Sequence, residues 1–212
     1  MSYEFPPKTE TGNLKVYKND LANLTRSNKD DPKTGFCDDL RGRISAFDFD
    51  GIKDDFCSVR QQRYGGAKLK SVDAFFKAAD GTLYFFEFKK SSREALEVLD
   101  DDGERIPFEV SLKRKAVDSL AVSALTVLQD KSGAEICDHA VLFVVYRKSV
   151  TDTLGSLEIN SGFTSLAGGA DSISKKHPIM WSLDELKKKG LYKDVHTWPE
   201  DEFVSWAKEN VK

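Results

Sequence analysis

The stretch that most constrains this chain runs from Ser71 to Lys90, SVDAFFKAADGTLYFFEFKK. Two runs rich in aromatic residues flank Ala79-Asp80-Gly81, the pattern of two strands joined by a tight turn. Gly81 takes positive φ without a Cβ penalty, so a three-residue loop with a bulge at Gly81 is the expected connection. That register pairs Ala78 with Thr82 and, counting outward, sets Asp73 opposite Glu87. Strand side chains alternate faces, so Lys89 shares the face of Glu87. A two-residue Asp80-Gly81 loop would slip the pairing by one and send Asp73 to the other face. Tyr84, Phe85, Phe86 and Phe88 make the second strand apolar on both sides, as a covered central strand requires. Charges in such a strand are costly unless they are paired or bind a metal.

Two acids and a lysine on one face suit metal-assisted phosphodiester hydrolysis. Hard carboxylate oxygens hold Mg²⁺, which keeps several waters and binds substrate phosphate. The metal lowers the pKa of an attacking water, and a nearby lysine orients that water and offsets developing charge. Glu-x-Lys in a strand has an ordinary use as well, a cross-strand ion pair on a solvated edge.

Asp73, a spacer, and then Glu87-Phe88-Lys89 resembles the signature of the PD-(D/E)XK nuclease superfamily, with Val72 in the slot of the nominal proline. The resemblance covers roughly residues 71 to 146. It implies an α/β fold: a three-layer α/β/α restriction-endonuclease-like core with a mixed central sheet, followed by C-terminal helices. Residues 1–212 would form a single domain, with the nuclease core over about 38–148 and an extension over about 149–212. It also implies that Asp73 and Glu87 hold Mg²⁺ or Mn²⁺, that Lys89 is the catalytic lysine, and that the partner is nucleic acid, DNA before RNA. Nucleases of this superfamily often add an acid from a helix ahead of the hairpin. Only Glu4 and Glu10 precede Glu87 among glutamates, so here that acid would be an aspartate. The helix after the Glu-x-Lys strand often supplies a polar residue, and Lys115 is the candidate, its ordinary alternative being an ion pair with Asp118. The rival keeps the fold without the chemistry: a non-catalytic nucleic-acid- or protein-binding domain, such as an immunity or anti-defence protein.

The net charge of −3 does not mark a nucleic-acid binder, so any basic surface must be local. One candidate is Phe56 to Val72, where Arg60, Arg63, Lys68 and Lys70 occur with no acid beside Tyr64-Gly65-Gly66. A basic, glycine-containing loop there would suit phosphate contact, and a solvated loop would look the same. Cys37, Cys57 and Cys137 are odd in number and widely spaced, which argues against a disulfide framework or zinc site and suits a reducing cytoplasm. The N-terminus lacks the apolar core of a signal peptide, and the longest apolar run, Ala140 to Tyr146, is too short to span a membrane.

Elsewhere the pattern predicts a short helix over Asn19–Ser27 and a turn over Lys29–Gly35. Asp38 to Val59 mixes apolar residues at near-helical spacing with aspartates. Its Asp48-Phe49-Asp50-Gly51 does not make an EF-hand loop, since the glycine comes too early. A turn over 100–103 leads to a strand-like run, Ile106–Val110, and then to a helix over Ser111–Gln129 with an apolar stripe at Leu112, Ala116, Leu120 and Ala124. His139–Lys148 is a buried strand, and Thr151–Lys176 is Ser/Gly/Thr-rich loop. Two capped helices should close the chain, from capping boxes at Ser182/Glu185 and Thr197/Glu200, with Gly190 as a stop. His177 and His196 are isolated and expected in loop or surface roles.

Overall fold

A computed structural model describes residues 13–25, 37–64, 69–89, 97–99, 103–147 and 179–211. The hairpin forms as its turn chemistry requires. Strands β3 (Ala74–Lys77) and β4 (Leu83–Lys89) pair Lys77 with Leu83 and Ala74 with Phe86. Ala78 and Thr82 close the three-residue loop: the Ala78 amide donates to the Thr82 carbonyl at 2.9 Å, and the Gly81 amide to the Ala78 carbonyl at 3.1 Å. Gly81 sits at φ +89°. One residue beyond the last paired position, Asp73 stands across from Glu87, which is the longer-loop register.

This hairpin is the middle of a mixed six-stranded sheet. Strands β1 (Lys18–Asp20) and β2 (Ser45–Asp48) extend it on one side, antiparallel throughout. On the other side β7 (Ala140–Tyr146) and β8 (Asp194–Pro199) run parallel to β4, giving the order β1-β2-β3-β4-β7-β8. A parallel neighbour demands a long crossover. Part of it is a small hairpin of β5 (Glu97–Leu99) and β6 (Arg105–Pro107), followed by helices α3 (Phe108–Leu125) and α4 (Gly133–His139).

Helices cover both faces. α2 (Phe49–Tyr64) and α3 pack Phe49, Ile52, Leu112, Ala116 and Leu120 onto Phe75, Leu83, Phe85, Leu142 and Val144. The opposite face carries Ala74, Phe86, Val141, Phe143 and Val145. There it meets α1 (Leu21–Leu24) and the C-terminal helix α6 (Glu200–Asn210), which brings Phe203 and Ala207. Odd-numbered residues of β3 and β4 therefore face α2 and α3. The alternation that puts Phe75 and Phe85 in that core puts Asp73, Glu87 and Lys89 on the same side.

Several expectations are corrected. The helix expected over Ser111–Gln129 begins three residues earlier, at Phe108 behind Pro107, so the strand expected over Ile106–Val110 is only its first two residues plus Arg105. The near-helical spacing of Asp38–Val59 hides a 3₁₀ turn and β2 before α2 starts. Neither expected C-terminal capping box forms. Ser182 lies ahead of the short helix α5 (Asp184–Lys188) at φ 51°, its hydroxyl donating to Glu109 at 3.3 Å. Thr197 belongs to β8, where its hydroxyl accepts from the Met180 amide at 3.0 Å, and Glu200 caps nothing. A capping box does form at Ser132/Glu135, opening α4. Gly190 ends α5 at φ +69° as expected. The three cysteines are free thiols, and no helix among the described residues is long and apolar enough to cross a membrane. The loop expected over Thr151–Lys176, and His177, lie outside the described residues.

Candidate active site

Glu87 is the centre of the face that α2 and α3 cover. It lies in β4, 1 % exposed, and its Oε1 accepts from two ammonium groups, Lys115 Nζ at 2.7 Å and Lys89 Nζ at 2.8 Å. Its Oε2 is buried and, among the described residues, has no hydrogen-bond partner. A buried carboxylate oxygen without a donor is expensive, and buried polar groups are seldom left so. The two lysines hold Glu87 ionised, below the usual carboxylate range despite burial.

Asp73 stands at the mouth of the hairpin, where β3 has ended and the two strands part. One of its oxygens takes over the ladder, accepting from the Phe88 amide at 2.7 Å. Burial first, and then the charge of Glu87, push its pKa up to about 8, against the opposing pull of Lys115 and the Phe88 amide. Two acids this close in a dry corner do not both ionise freely.

Lys115 arrives from α3, and the sequence places it there by the helical period: Leu112, Ala116 and Ser119 turn inward and Lys115 rides beside them. The expected alternative, an ion pair between Lys115 and Asp118, is not formed. Asp118 instead accepts the Lys70 amide at 2.9 Å and faces Arg114 at 3.8 Å, while Lys115 goes to Glu87. One turn on, Ser119 accepts the Val72 amide at 2.9 Å and donates to the Lys115 carbonyl at 2.7 Å. These bonds tie the chain entering β3 to the helix that carries the lysine. Lys89 lies over the Phe108 ring, 5.2 Å from its centroid, at the start of the same helix.

The helix ahead of the hairpin brings an aspartate toward this corner, Asp50, in the first turn of α2. Its Oδ1 accepts from the Ser71 hydroxyl at 2.5 Å and faces Lys53 at 3.4 Å, and its charge acts on both Asp73 and Lys115. The local signal for this placement was Asp48-x-x-Gly51. Asp48 accepts the Gly51 amide at 2.9 Å, as a helix N-cap does, and a Cβ on Gly51 would come within 3.1 Å of Asp48 Oδ2. Asp48-Phe49-Asp50-Gly51 is thus a helix start, not a calcium loop.

Arg60 and Arg63 lie in α2, which runs on to Tyr64, so the segment expected as a basic loop is helix through most of its length. Lys70 is partly buried beside α3, and Lys68 lies outside the described residues. His196 is on β8, not in the loop or surface role expected: its ring lies tilted against Phe143 and Trp198, centroids 4.7 and 4.8 Å away, on the far side of the sheet, a packing role.

The donor set fits a hard cation at one point. Glu87 Oε2 is a buried anionic oxygen with an open valence, and Asp73 is the acid beside it. Among the described residues no three His, Cys, Asp or Glu side chains close on a common point as a finished cage. No family model, curated protein or solved structure matches the chain.

Proposed function

We propose that this chain is a nuclease of PD-(D/E)XK type, hydrolysing phosphodiester bonds of nucleic acid, with DNA the first substrate to test. The observation that carries the reading is Glu87, whose one oxygen is held by two lysines while the other is buried and unpartnered beside Asp73. Asp73 and Glu87 would hold Mg²⁺ or Mn²⁺, and the ion when bound supplies a Lewis acid for the phosphate and a lowered pKa for its water. Lys89, next along the same strand face, orients the attacking water and offsets charge on the phosphorane. Asp50, fixed by Ser71, supplies the acid from the preceding helix that the resemblance asks for. The order helix α2, hairpin β3–β4, helix α3, parallel strand β7 supports a restriction-endonuclease-like core.

The second reading, a binding domain without chemistry, draws on a different feature of the same residues. Two ammonium groups already neutralise Glu87, so the cluster is satisfied in part without a metal. Cleavage assays on single- and double-stranded DNA and RNA with Mg²⁺ or Mn²⁺ decide between them. Wild-type protein should cleave, Glu87→Ala should lose metal binding and activity together, and Lys89→Ala should stay folded and lose about 10²–10³ in rate. Absence of cleavage on every substrate, with no calorimetric heat from either metal, assigns the chain to the binding class.

A further inference from the structure

We propose that Lys115 is the built-in cation of this acid cluster: its ammonium occupies the ground a second divalent ion would need, so that the site takes one metal ion, at Glu87 Oε2. This rests on the reading of Asp73 and Glu87 as metal ligands. The geometry begins with convergence. Asp50 comes from α2, Asp73 from the chain entering β3 and Glu87 from β4, and Lys115, reaching across from α3, bonds Glu87. Its direct bond is to Glu87 Oε1 at 2.7 Å.

Lys115 is not a surface lysine that swings in by chance. Its carbonyl receives Ser119 Oγ at 2.7 Å, Ser119 in turn holds the Val72 amide, and the next carbonyl, that of Ala116, receives the buried Tyr192 hydroxyl at 2.8 Å. The backbone at 115 is therefore pinned both to the entry of β3 and to the segment between α5 and β8. A lysine ammonium is a compact charge with three donors, well suited to sit among several carboxylates. A second dication brought to the same acids would meet that charge at a few ångströms, in a poorly solvated corner that screens the repulsion little. The two carboxylate oxygens of Glu87 are thus divided: Oε1 belongs to lysines, and Oε2 is the one left for a metal.

Mn²⁺ titration by calorimetry, with thermal unfolding in EDTA and in Mn²⁺, tests this on wild type, Lys115→Met and Lys113→Met. Lys113 lies on the same helix but bonds Glu185 at 3.1 Å, away from the cluster. Wild type and Lys113→Met should bind one Mn²⁺. Lys115→Met should bind a second, or bind the first at least about tenfold tighter, because a competing unit charge is gone. Its Tm should fall below wild type in EDTA and recover in Mn²⁺, giving a larger metal-induced rise than wild type shows. Two ions on wild type, or a Lys115→Met protein with unchanged or weaker binding, overturns the inference. If Lys115→Met is unfolded in EDTA, refolding on Mn²⁺ addition supports it and failure to refold overturns it. No binding by either protein removes the metal reading itself, and this inference with it.

Discussion

Asp73 and Glu87 carry the same functional group in the same corner, yet their pKa values move in opposite directions. Glu87 receives two ammonium groups on one oxygen and is held below its usual range. Asp73 is raised to about 8 by its burial first and then by the negative charge of Glu87, with one backbone amide pulling the other way. The sign of the pH dependence follows. Between the ordinary aspartate range and about pH 8 the folded protein holds a proton on Asp73 that the unfolded chain releases, so stability falls as pH rises across that interval. Glu87 acts oppositely, its contribution being present above the ordinary glutamate range and lost on acidification below it. Denaturant titrations in EDTA should therefore show wild type weakening from pH 5 to 9, and Asp73→Asn with that slope largely removed. An equal slope in the variant would assign the loss to another group.

At the scale of elements, the hairpin loop sets which face Asp73 occupies. The loop rests on Gly81 at φ +89° and on Asp80, whose Oδ1 accepts the Thr82 amide at 2.9 Å. A Cβ at residue 81 would meet no atom within 4 Å, so Gly81→Ala isolates the cost of a left-handed backbone from any clash. That cost is about 1–2 kcal/mol, which equilibrium urea unfolding measures directly. A neutral substitution would mean that the loop has changed type, and the register of Asp73 with it. α3 is the other decisive element. Its inward stripe builds the core, while Ser119 on that stripe and Lys115 and Asp118 beside it hold the site and the chain that enters it.

Across the whole molecule, the second layer is locked by one carboxylate. Glu200, at the first residue of α6, accepts the Cys37 amide at 2.6 Å and Arg147 Nε at 2.7 Å, joining the chain before β2, the end of β7 and the C-terminal helix. These groups line one cavity of about 700 Å³ with Asp38, Asp39 and Lys208. Burial and the neighbouring Glu200 charge push the Cys37 thiol up, which disfavours the reactive thiolate. Glu200→Ala should cost about 1–3 kcal/mol, the penalty for a buried donor left unpaired, and should speed labelling of Cys37 by a thiol reagent. Unchanged labelling would show that the three segments stay closed without the carboxylate.

The sequence by itself determined what depends on neighbours along the chain. Gly81 and the alternation of Phe75, Phe85 and Glu87 settle the hairpin register, the 3.6-residue period of Leu112, Ala116 and Leu120 settles α3, and the unbroken apolar run settles β7. Contacts between distant segments decided the rest. β2 and β8 are short strands whose Phe47 and Val195 gain their burial only from a sheet already formed, so no local period marks them. Thr197-x-x-Glu200 and Ser182-x-x-Glu185 have the letters of a capping box, but their side chains are taken by Met180, Glu109, Cys37 and Arg147 from elsewhere in the fold. Lys115 joins Glu87 across 28 residues of chain, and Asp50 meets Ser71 across 21. The choice Lys115 makes between Asp118 and Glu87 goes to the carboxylate buried deepest, and burial exists only in the folded state.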